Sequence, residues 1–199
     1  MMLFDETTVP EAALPVQAMK DHLRLGSGFA DDGLQDGMLV AHLRAAMAAI
    51  EGRIGKVLIQ RRFRWVLENW RGGASQALPV APVVALVSVT LRAADGDAVV
   101  VDPGRYRLVT DLHRPKIAGL SGALPVVPTD GQVEVVFDAG FGAGWADVPP
   151  DLAQAVLLLA AEFYERRHDL MQGEAGLPAG VVRLIERWRT VRIIGGGRR

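Results

Sequence analysis

The hydrophobic period of this 199-residue sequence changes twice, from helical to alternating and back, and that order constrains the fold more than any other feature. Between Gly33 and Ile54, residues Leu39, Leu43, Met47, Ile50 and Ile54 recur at three- and four-residue intervals, which predicts a helix with one apolar stripe. Ala45, Ala46, Ala48 and Ala49 lie between them and let a second helix approach closely. Asp31 and Asp32 are its predicted N-caps, and Gly52 and Gly55 mark its end. A shorter helix is predicted from Pro15 to Arg24, with Val16, Met19 and Leu23 on one side.

The middle of the chain alternates. Val57, Ile59, Phe63, Trp65 and Leu67 share one strand face, while Gln60, Arg62, Arg64 and Glu68 take the other. Arg61 is the exception on the apolar face. Val83 to Leu91 is β-branched, and Asp95-Gly96 turns it into Ala98 to Val101. Tyr106 to Val109 and Val133 to Phe137 complete four or five short strands. With turns and no helices between them, they pair antiparallel. After Pro149-Pro150-Asp151 the helical period returns on Leu152, Val156, Leu159 and Phe163, as far as Arg167. A Gly-rich loop at 172–176 leads to a short helix from Pro178 to Arg189, with Val181, Ile185 and Trp188 facing one way.

The predicted class is therefore α+β: a helical core carrying an inserted antiparallel sheet and an extended C-terminal tail. Residues 1–55 and 149–189 form the core, 56–148 the insertion, and 190–199 the tail. Half of the residues are hydrophobic, ample for a packed core. The absence of cysteine excludes disulfides, thiolate metal sites and cysteine nucleophiles. The first residues lack the basic and apolar regions of a signal peptide, and no apolar run is long enough to span a bilayer, so a soluble chain with no membrane partner is expected.

Net charge is only −1, but its distribution is uneven. Residues 1–36 hold seven acids against two bases, and residues 183–199 hold six arginines against one glutamate. Such polarity suits subunits that meet different partners at opposite ends, or it neutralises itself within one monomer. The tail interleaves its arginines with Trp188, Val191, Ile193 and Ile194, a composition suited to an acidic groove of another protein or to nucleic acid.

Catalytic chemistry is sparse. His22, His42, His113 and His168 fall in different segments, as surface or cap residues rather than ligands. Glu165 and His168 have the spacing of two ligands on one helix face, but a carboxylate-bridged metal pair needs a second such helix. Gly140-Phe141-Gly142-Ala143-Gly144 lacks the following lysine and immediate helix of a phosphate loop, and reads as a flexible connection. No cofactor, metal or catalytic residue is assigned.

Three stretches carry a resemblance: Leu14-Pro15-Val16 through Asp31-Asp32 to Glu51-Gly52-Arg53, then Val133 through Val148-Pro149-Pro150-Asp151-Leu152 to Arg167, and finally Leu177-Pro178 to Ile185. In that order they resemble the head–tail connector (adaptor) proteins of tailed phages and gene transfer agents, along nearly the whole chain. The resemblance implies a non-enzymatic ring of about a dozen copies, a dodecamer, in the neck of a phage-like particle assembled in the bacterial cytoplasm. It implies as partners the portal protein, neighbouring copies, the next neck or tail protein (a stopper or terminator), and DNA passing non-specifically through the channel. Portal binding falls on Arg187, Trp188, Arg189, Arg192, Ile193 and Ile194. Asp31, Asp32, Arg62 and Arg64 are the candidate contacts between copies. The alternative is a small nucleic-acid-binding protein using the basic tail.

Overall fold

A computed structural model of the protein describes residues 1–25, 35–166 and 176–190. Asp31, Asp32, the start of the long helix at Gly33, His168, most of the Gly-rich loop, and the tail from Val191 onward lie outside the described residues.

Among the described residues four α-helices build one layer: α1 (Val16–His22), α2 (Asp36–Ile54), α3 (Pro150–Glu165) and α4 (Ala179–Ile185). The whole predicted stripe of α2 is buried, and α2 packs along α3 through Leu152, Ala155, Val156 and Leu159. Of the four alanines, Ala46 is fully buried while Ala45 and Ala48 face solvent. The reason is phase, since Ala46 lies three residues beyond Leu43 and four before Ile50, within the stripe. Gly52 sits inside the helix. Gly55 ends it, with φ of 67° and an N–H that donates to the Glu51 carbonyl at 2.8 Å.

Eight strands among the described residues form two antiparallel sheets. The five-stranded sheet has the order β1 (Met2–Asp5), β2 (Arg61–Leu67), β8 (Gln132–Ala139), β4 (Val83–Arg92) and β5 (Ala98–Val100). The three-stranded sheet runs β3 (Ser75–Ala77), β7 (Lys116–Gly119) and β6 (Tyr106–Val109). Phe63 pairs with Phe137 across β2 and β8, and their rings stack at 5.6 Å. Trp65, Leu67, Val133 and Val135 extend the same inner face, which meets Ile117 and Tyr106 of the smaller sheet. β4 carries two bulges, and the extra residues Val84 and Val87 are turned outward.

β1, β3 and β7 add to the strands read from sequence. Their three or four residues carry no alternation strong enough to announce them, and every residue of β1 is exposed. β2 starts at Arg61 rather than Val57 because the preceding backbone is committed elsewhere. Lys56 bridges Ala81, Ile59 bridges Gly142, and the Leu58 N–H donates to the Glu51 carboxylate at 2.8 Å. The glycine-rich connection after β8 is likewise tied down, by bonds from the Gly140 N–H to Pro82 and from the Gln60 N–H to Gly142.

Candidate functional site

Arg61 explains itself first. Its guanidinium forks onto both oxygens of Glu51, at 3.0 and 2.8 Å, and reaches Asp5 at 3.0 Å. Desolvation works against its charge, but the bonds to Glu51 and the charges of Glu51 and Asp5 outweigh it and raise its pKa. This cluster fastens the end of α2 to β2 and β1, which is structural work.

Arg62 and Arg64 lie on the outer, charged face of the five-stranded sheet. Arg62 pairs with its cross-strand neighbour Asp138 through two bonds of 2.8 and 3.0 Å. Arg64 pairs with Glu6 at 2.6 Å, approaches Glu134 at 3.7 Å, and covers the Phe4 ring at 4.6 Å. Both side chains are partly exposed, so a neighbour has access to them. Asp31 and Asp32, their companions among the candidate ring contacts, lie outside the described residues.

The predicted docking residues divide. Arg187 and Arg189 are exposed at the base of the tail. Trp188 is not. It sits in a tight turn after α4 (Glu186–Trp188), is 8% exposed, and meets the Phe141 ring edge-on at 5.3 Å. Its indole N–H donates to Asp151 at 2.8 Å, and the same carboxylate oxygen takes the Arg187 guanidinium at 2.7 Å. Trp188 continues the buried stripe of Val181 and Ile185 and packs into its own subunit. Arg192, Ile193 and Ile194 lie outside the described residues.

A second tie involves Lys56 and Thr190. The ammonium of Lys56, 1% exposed, donates to the Thr190 hydroxyl at 3.3 Å. Desolvation lowers its pKa, and the charge of Asp111 offsets this in part. A lysine between Gly55 and Val57 gives no sequence signal of burial. Asp151 reads locally as an acid in the first turn of a helix, not as the acceptor for a residue 37 positions away.

His22 and His113 are exposed, and His42 meets Tyr164 edge-on at 6.2 Å. Among the described residues no three histidine or carboxylate side chains converge as a metal site. None of their helices is long and apolar enough to cross a membrane. The arrangement is one of fastening: the described chain ends at Thr190 on a base held from two sides.

No protein-family model matches the sequence, and no curated protein does. Solved structures do. The chain is 54% identical to one in the neck of an empty gene transfer agent particle computed with C6 symmetry, covering 98% of this chain and 99% of that one, with a TM-score of 0.89. It is 55% identical to a chain of the virion of a native gene transfer agent particle, with the same coverage and a TM-score of 0.86. A chain of the native neck computed with C12 symmetry is 50% identical, again over 98% and 99%, at 0.83.

Proposed function

Because the chain belongs to the family of neck proteins of gene transfer agent particles, we propose that it is the adaptor that seats on the portal through residues 190–199. It is a structural component of the particle neck. The observation that carries this reading is likeness along the entire chain, 98% of it, to chains of such necks at about half-identical sequence. The likeness spans both helical and β parts, so it concerns the whole subunit and not a shared module. The structural character of these relatives supports a non-enzymatic role.

The ring follows from symmetry. Head-to-tail contacts that close generate a cyclic assembly, and the sixfold and twelvefold symmetry of the relatives' necks supports a closed ring of copies here, twelve in the full assembly. Arg62 and Arg64, with Asp31 and Asp32, are the proposed contacts between neighbours. The ring leaves an axial channel for DNA and presents a far face to the next neck protein.

Docking through a tail has a physical logic. Copies held in one ring present their tails together at high effective concentration, and avidity replaces individual affinity. Trp188 and Thr190 hold the base of the tail to the subunit's own fold.

Because Trp188 belongs to the subunit's own core, the informative truncation begins after Thr190. A chain of residues 1–190 is expected to fold with an unchanged melting curve and to lose portal capture in a sedimentation assay. Undiminished capture contradicts the reading.

A further inference from the structure

Beside the base of the tail lies a cavity of about 780 Å³. Arg53, Arg71, His113, Arg114 and Arg189 line it together with Thr190, and among the described residues no aspartate or glutamate does. Arg189 is paired with Glu186 at 3.1 Å. Arg53, Arg71 and Arg114 are exposed at its rim, and none has a carboxylate partner among the described residues. Asp111 stands nearby but accepts the backbone N–H groups of His113 and Arg114, both at 2.7 Å. Trp65 contributes to the wall, and its buried indole N–H has no acceptor among the described residues. The recess therefore gathers three arginines that no carboxylate pairs with among the described residues, and Glu186 and Asp111 offset their field only in part, so it still favours an incoming anion.

We infer that this recess binds an acidic, Asp- or Glu-bearing segment of the protein that receives the tail. The inference rests on the docking reading above. Arg189 and Thr190 belong to both the recess and the tail base, so a partner seated on the tail lies against the recess as well. The wall chemistry selects between anion classes. Ile54, Leu78, Pro79 and Val80 form apolar wall between the cations, which suits the aliphatic stem of a glutamate and its neighbours. Duplex DNA presents its phosphates on a convex surface, reached by protruding cations rather than by a recess with apolar walls.

The test uses the full chain and a hexaglutamate peptide as probe, with binding followed by calorimetry at low salt. Arg71→Glu/Arg114→Glu is expected to bind about tenfold more weakly or worse, since close charge pairs at an interface couple strongly. Both side chains are exposed, and a melting curve verifies the fold; Arg53→Glu is a second, independent reversal. The chain ending at Thr190 is expected to keep peptide binding while losing portal capture, which separates this site from the docking reading. Peptide affinity unchanged by the reversals overturns the inference. So does peptide binding that disappears with residues 191–199, or tighter binding of a twenty-base-pair duplex that falls with the same reversals.

Discussion

The indole N–H of Trp188 donates to the carboxylate of Asp151 at 2.8 Å, joining the base of the tail to the first turn of the helix that organises the core. The bond crosses 37 positions of sequence, and Arg187 shares the same oxygen. Position at the base of the tail is thus set by the subunit's own packing.

Removing that acceptor loosens the base. Asp151→Ala is expected to lower unfolding free energy by about 2 kcal/mol, because a buried indole donor and a guanidinium both lose a charged partner. Asp151→Asn keeps an acceptor for the indole and is expected to cost about half as much. Urea melts measure both, and portal capture is expected to weaken in the same order.

Lys56 is a buried cation held by a hydroxyl, and its lowered pKa has a definite consequence for pH dependence. Below the native pKa both folded and unfolded states hold the proton, and the full penalty of burying the ammonium applies. As pH rises through the native pKa the folded state releases its proton first, so stability climbs until the ordinary lysine pKa is reached. Lys56→Met is expected to abolish that alkaline climb and to raise stability at neutral pH by about 1–2 kcal/mol. Chemical denaturation across an alkaline pH series reads both effects.

Much of this architecture is legible in the sequence, and the exceptions share a physical cause. The stripe of α2 and the inner face of β2 are periodic, so their burial follows from spacing alone. β3 and β7 hold three and four residues, and Ser75, Lys116 and Gly119 blur any alternation. Trp188 fits two patterns at once, an apolar stripe with Ile185 and an arginine-flanked tail, and packing decides for the stripe. The ties made by Asp151 and Lys56 depend on partners far along the chain, which no local window contains.

At Gly140 the connection after β8 has no tolerance for a side chain. Gly140 has a φ of 141°, and a Cβ there meets the backbone of Gln60. Gly140→Ala is expected to destabilise by more than about 2 kcal/mol, through strain and collision together. A thermal melt suffices, and a variant as stable as the parent contradicts the splice described between sheet and helices.

Arg62 and Arg64 separate stability from assembly. Their ion pairs lie on a partly exposed face, so Arg62→Ala/Arg64→Ala is expected to change unfolding free energy by about 1 kcal/mol or less. Ring formation, measured by light scattering in the presence of portal, is expected to fall sharply. Intact rings from this double variant remove these two residues from the contact between copies.

The most direct test of the docking role places a photoreactive residue at Ile193 in a neck assembled from this chain and its portal. Illumination is expected to join the adaptor covalently to a portal subunit. Cross-links confined to the adaptor's own chain contradict the account, because they put the tail on its own subunit and leave the portal without its proposed hold.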